Sequence, residues 1–318
     1  MGAEVDAAVV RLRREGLLSA EQAALFARVA RRELVSVGAE LRVLLYGGVL
    51  VAMAGVGLLV EQQFQRLGPL AVAGGLALAA AACLIWVQRR APPFSWGEAA
   101  SPHFAFPYLL LLGVLLVGAD LAYVEAKFTP LGHAWPWHLF AMSLLAASLA
   151  VRHDSALVFS LALSTFAAWR GVSVALLERS LWSGTDAASS LRANAVGCGA
   201  FFLLLGAALV RFDRKAHFEP VAIHAGWILI LGALMSGLDD TARFGPLLLV
   251  VGAGVALLAF RRARFSLFVL GVLSAYTGLS ALFLRTHPGD AGGALWFAVT
   301  SLAVLAGLLA AHRRLRPE

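Results

Sequence analysis

Apolar runs follow one another along most of this chain, parted by short stretches that hold most of its charges. They fall at roughly 43–60, 67–87, 104–124, 135–151, 155–177, 193–210, 220–238, 244–260, 265–284 and 294–311. A bilayer core takes about 20 apolar residues in helical form, because lipid offers no partners to unpaired backbone N–H and C=O groups. The pattern predicts an all-α polytopic transmembrane bundle of ten spans over residues 43–318. The narrowest partition lies between the fourth and fifth runs, where only Arg152, His153 and Asp154 intervene. Three charged or titratable residues in a row are costly to bury in hydrocarbon, so the reading keeps two helices there.

Residues 1–42 follow a different pattern. Val5, Ala8, Val9 and Leu12 make an i, i+3, i+4, i+7 stripe, and Gly16 is placed to stop that helix in the left-handed conformation. Ser19 with Gln22 completes a capping-box pattern, which predicts a second helix with Ala23, Phe26, Val29 and Ala30 on its apolar face. Two such helices have too little core to stand alone. The segment is read as a cytoplasmic amphipathic hairpin that rests on membrane lipids or docks a protein partner.

Composition agrees with the pattern: 60% of residues are hydrophobic and 14% charged, and the mean hydropathy is +0.80. Soluble domains carry about 25% charged residues, so no sizeable water-soluble domain remains outside the spans. The first forty residues mix charges and lack an apolar core followed by a small-residue cleavage site, so the first span is expected to be an uncleaved anchor.

The net charge of +7 would point to nucleic acid in a soluble protein, but in a membrane protein the placement of basic residues reports orientation. With the N-terminus in the cytoplasm, 19 of the 26 Lys and Arg residues fall in inner segments, six in outer loops, and Arg170 within a span. The count predicts both termini in the cytoplasm and no nucleic-acid partner. Arg supplies 24 of the 26, which with abundant Ala and Leu suggests a GC-rich bacterial source and the inner membrane. Cys83 and Cys198 fall in apolar runs near opposite faces and are read as packing residues without a disulfide.

The stretch Arg14-Glu15-Gly16-Leu17-Leu18-Ser19-Ala20-Glu21-Gln22-Ala23, followed by Leu45-Tyr46-Gly47-Gly48-Val49-Leu50 and a second glycine-rich span, resembles the bacterial DUF2157 family of membrane proteins. The resemblance covers roughly the first 90 residues. It implies a multi-pass protein with a cytoplasmic hairpin, and it transfers no catalytic or binding residue. An Asn-Trp pair associated with the end of the family's first span is replaced here by Glu61-Gln62-Gln63-Phe64-Gln65.

The chain contains no GxxxxGK[ST], HExxH, CxxC or GxSxG motif, so a non-enzymatic protein without cofactor is expected. His133 and His138 flank Trp135 and Trp137, a spacing of five that does not align two ligands on a helix; an interfacial aromatic belt explains them better than a metal.

The strongest functional pointers are charges inside spans. Asp120 in the third span and Arg170 in the fifth lie five and eight residues before Glu125 and Glu178. At 1.5 Å per residue both sit in the outer leaflet, ~7 and ~12 Å deep, where they can meet. They are the candidate substrate-binding residues, either lining an outward cavity or bridging two helices.

Two functions follow: a scaffold or accessory subunit docking a partner through the hairpin, or a transporter of a small or lipidic solute with Asp120 and Arg170 in its pathway. A lipid-modifying enzyme would need a polar cluster at one depth, which the sequence lacks beyond Asp120. Finally, Arg66-Leu67-Gly68-Pro69-Leu70 echoes Arg243-Phe244-Gly245-Pro246-Leu247, and Leu112-Gly113-Val114-Leu115 echoes Leu270-Gly271-Val272-Leu273. This order predicts a parallel repeat relating the first four spans to the last four.

Overall fold

The computed structural model describes residues 12–13, 16, 19–22, 26, 38–99, 101–128, 136–171, 186–286 and 290–315. Among them are ten long α-helices and no strand: α1 (Gly38–Leu67), α2 (Pro69–Arg90), α3 (Phe106–Lys127), α4 (Pro136–His153), α5 (Ala156–Trp169), α6 (Asp186–Arg211), α7 (Glu219–Met235), α8 (Phe244–Arg261), α9 (Phe265–Thr286) and α10 (Asp290–Leu315). Each contains or overlaps one of the ten apolar runs. Seven are long and apolar enough to cross a membrane by length and composition, which makes the chain a multi-pass membrane protein; α1, α4 and α5 fall outside that group.

The chain divides into two units, residues 1–57 with 317–318 and residues 58–316. In the first, Gly16 has φ +72° and its N–H donates to the Arg13 carbonyl, the left-handed stop expected from the sequence. The capping box also forms. Ser19 N–H donates to Gln22 Oε1 at 2.9 Å, and Gln22 N–H donates to Ser19 Oγ at 3.2 Å. Of the stripe residues Leu12 and Phe26 are described, and both are exposed; the others lie outside the described residues.

The second unit is assembled from helical hairpins. The closest helix pairs are α2 with α3, α4 with α5, α6 with α7, and α8 with α9, each made of sequence neighbours. Small residues set the spacing. A Cβ on Gly271 would stand 2.5 Å from the Ala256 backbone nitrogen, and one on Gly252 would stand 2.6 Å from that of Ala275. Here α8 and α9 touch backbone to backbone, the geometry small residues permit in membranes. Between α6 and α7, a Cβ on Gly199 would lie 2.7 Å from the Gly226 carbonyl oxygen.

Three of these hairpins turn through the same corner. Asp154, Asp213 and Ala263 are left-handed at φ 57°, 51° and 52°. The N–H of each following residue returns five positions to a helix carbonyl, Ser155 to Ala150, Arg214 to Leu209 and Arg264 to Ala259, at 3.1, 3.1 and 2.9 Å. This is the Schellman closure of a helix C-terminus. The sequence at the corners shares a signature, Val151-Arg152-His153-Asp154, Val210-Arg211-Phe212-Asp213 and Phe260-Arg261-Arg262-Ala263, with an arginine two residues before the left-handed position. The same closure thus ends α4, α6 and α8.

Two helices end earlier than their apolar runs, α7 at Met235 and, by a wider margin, α5. α5 stops at Trp169, and Arg170 is its C-terminal cap. Gly171, at φ +81°, closes the turn with its N–H on the Ala168 carbonyl. Conversely α6 begins at Asp186, before its apolar run, and so carries Arg192 inside a helix.

Candidate functional site

Two of the hairpin corners, after α4 and after α6, meet the 92–99 segment through side chains, and the meeting point is Asp154. Its carboxylate is 5% exposed and receives three donors from two other segments. Oδ1 accepts from Lys215 Nζ at 3.0 Å and from His217 Nε2 at 2.5 Å, and Oδ2 accepts the Ala99 N–H. Left-handed geometry at Asp154 is tolerable because Asp and Asn visit that region more readily than other residues with a Cβ.

Lys215 is the second centre, its side chain 2% exposed. It too is left-handed, at φ 51°, and its N–H donates to the Trp96 carbonyl at 2.8 Å while Nζ reaches the Gly97 carbonyl at 3.4 Å. Its ammonium lies 5.6 Å from the centre of the Phe94 ring. The 92–99 segment is thus held at several points: Arg152 Nη1 donates to the Pro92 carbonyl at 3.2 Å, and the Arg214 guanidinium sits 4.7 Å over Trp96. Beneath the polar centre is an apolar floor. Phe218 is fully buried and stacks on Phe159 at 4.7 Å, and Phe106 packs edge-on against His153.

His153 closes α4 beyond the apolar run at 135–151 and is buried, with no hydrogen-bond partner at Nδ1. Burial first, and the neighbouring Arg152 charge second, hold its pKa below the ordinary histidine value. Around this centre Arg89, Arg90, Arg211 and Arg214 stay exposed at or near helix C-termini, where cations suit the helix dipole. Chemically the arrangement is a buried, fully partnered anion wrapped by a lysine and a histidine. It fastens three chain segments into one arginine-rimmed face.

The sequence-derived pair sits elsewhere. Arg170 Nη2 donates to Asn194 Oδ1 at 2.8 Å, and Asn194 Nδ2 donates back to the Arg170 carbonyl at 3.2 Å. Asp120 lies on α3 with its Oδ1 buried and without a hydrogen-bond partner. Among the described residues no ion pair joins Asp120 to Arg170. Near that end of α3, Glu125 pairs with His138 of α4 at 2.9 Å. Of the two flanking histidines only His138 falls within the described residues, and it meets a carboxylate; no group of three or more metal-ligating side chains is found among those residues.

Two polar centres escaped the sequence reading. The Asp154, Lys215 and His217 group is separated by about sixty residues and looks like ordinary loop charge. Arg192, placed by its position in an outer loop, is 8% exposed in α6 and pairs with Asp240. It also donates from Nε to Ser236 Oγ and from Nη2 to the Ser236 carbonyl, both at 3.2 Å. The one signal available in sequence was the repeated arginine two positions before Asp154 and Asp213.

Comparison of the chain with protein-family models, with curated proteins and with solved structures returns no match.

Proposed function

We propose that the protein is a non-enzymatic multi-pass membrane scaffold or accessory subunit, with ten spans and both termini in the cytoplasm of a bacterial inner membrane. On this reading the N-terminal hairpin docks a protein partner. The arginine-rimmed face around Asp154 offers an acidic partner a preorganised surface. The observation that carries the reading is the Asp154 centre. It locks the 92–99 segment and the corners after α4 and α6 together, and a rigid surface binds with less ordering cost than a mobile one. The charge excess of that end favours the cytoplasmic side.

Purification of the full chain from its native membrane tests this. A stoichiometric partner should accompany the wild type and be lost on deleting residues 1–42 or on replacing Arg89, Arg90, Arg211 and Arg214 with Gln. A chain that purifies alone under every mild condition would defeat the reading.

One observation favours transport as a second reading: the partnerless Oδ1 of Asp120 inside an apolar helix. Buried polar atoms without partners are uncommon in proteins and invite a ligand or water. In proteoliposomes, solute flux abolished by Asp120→Asn or Arg170→Gln, with stability kept, would place transport first.

A further inference from the structure

Beside the corner after α8 the structure holds a groove of about 230 Å³. Its body is hydrocarbon and one indole: Leu203 and Ala207 of α6, Ile223 and Trp227 of α7, Val255 and Leu258 of α8. Its mouth is different, with Arg262 and Arg264 lining it. Arg264 Nη1 lies 2.7 Å from Glu219 Oε1, so that guanidinium is already balanced. Arg262 is exposed, and its guanidinium makes no hydrogen bond or ion pair among the described residues. With Arg261 beside it, the corner carries three arginines against one glutamate, a net of +2 (3 − 1).

We propose that this groove is a binding site for one anionic phospholipid, an acyl chain lying along the helices and the headgroup phosphodiester on Arg262. An apolar groove facing a bilayer is filled by hydrocarbon as the default, because water has no polar partners there. Selection then rests with the mouth. Arg262 directly follows the 18-residue apolar α8, so its charge falls where headgroups begin. Basic pockets between transmembrane helices are the recurring geometry for anionic headgroups, and a guanidinium matches phosphate oxygens in bidentate fashion. The inference rests on the membrane reading and is independent of partner docking.

The test uses the full-length protein in a neutral detergent, with thermal unfolding followed as lipid is added. Phosphatidylglycerol should raise the melting temperature saturably, whereas phosphatidylcholine and inorganic phosphate should not. Arg262→Gln should weaken the apparent affinity about fivefold, one surface charge being worth about 1 kcal/mol. Arg261→Gln, which removes a neighbouring charge outside the groove, should weaken it less. Ala207→Phe, which fills the groove and leaves the arginines in place, should abolish saturation. Equal loss from Arg261→Gln and Arg262→Gln would reduce the effect to diffuse surface charge and overturn the site. Equal stabilisation by the two lipids, or by phosphate alone, would overturn it as well.

Discussion

At the scale of single residues, the energetic weight falls on Asp154 and Lys215. Both side chains are nearly inaccessible, so removing one leaves the other a buried charge short of its partner. Breaking such pairs costs about 3–5 kcal/mol, whereas replacing both members by apolar groups is often close to neutral. Lys215→Met should therefore destabilise the detergent-solubilised protein strongly, and Asp154→Leu similarly. The double replacement should recover much of the loss, although Asp154→Leu also strands His217 and the Ala99 N–H. Unfolding midpoints for the four proteins give the coupling directly; additive losses would mean the contact contributes little.

His153 belongs to the same scale and adds a pH dependence. Its folded pKa is depressed, so between that value and the ordinary 6.5 the unfolded chain binds more protons than the folded one. Stability from this group is complete above about pH 6.5 and falls as the pH drops toward the folded pKa. Melting temperatures measured from pH 7.5 to 5 should decline, and His153→Leu should decline less over that window. Parallel curves would show that His153 titrates as in the unfolded chain.

At the scale of elements, the α8–α9 hairpin depends on backbone contact. Gly271→Leu has no free volume to occupy, because even the first carbon would stand 2.5 Å from a backbone nitrogen of α8. The helices must separate, and overpacking of this kind costs about 3 kcal/mol or more. Gly254→Ala, with nothing within 4 Å of the added carbon, should be neutral or slightly stabilising. Comparing melting temperatures of the two variants separates close packing from a general effect of glycine. Relief of strain is the counterpart at the corners: Ala263 is left-handed at φ 52°, so Ala263→Gly should gain about 1 kcal/mol.

At the scale of the whole molecule, the proposed arrangement across the membrane rests on helix count and charge. Single cysteines introduced beside Gln62, Thr185 and Asp290, in a background lacking Cys83 and Cys198, should react with an impermeant reagent in intact cells. Cysteines beside Ala91, Asp213 and Arg316 should react only after permeabilisation. The reversed pattern would show that the excess of arginines marks the outer face. The Asp213 site is the most informative of the six, since it lies at a corner next to the Asp154 centre.

Helices were legible along the chain because lipid forces a long apolar run to satisfy its own backbone bonds, and that rule needs no knowledge of neighbours. The left-handed Gly16 and the Ser19 with Gln22 box were legible for the same reason: both depend on residues within one turn. Their hydrogen bonds form as the local pattern requires. Pairing of side chains across distant segments was not legible. Asp120 and Arg170 have compatible depths in sequence, yet depth says nothing about which faces two helices turn to each other, and Arg170 instead meets Asn194 on α6. Asp154, Lys215, His217 and the 92–99 segment come together only because three hairpins pack side by side. The helical architecture was thus written in composition and periodicity, whereas the buried polar centre exists only through tertiary packing, which alone removes water from charges that sequence leaves looking exposed.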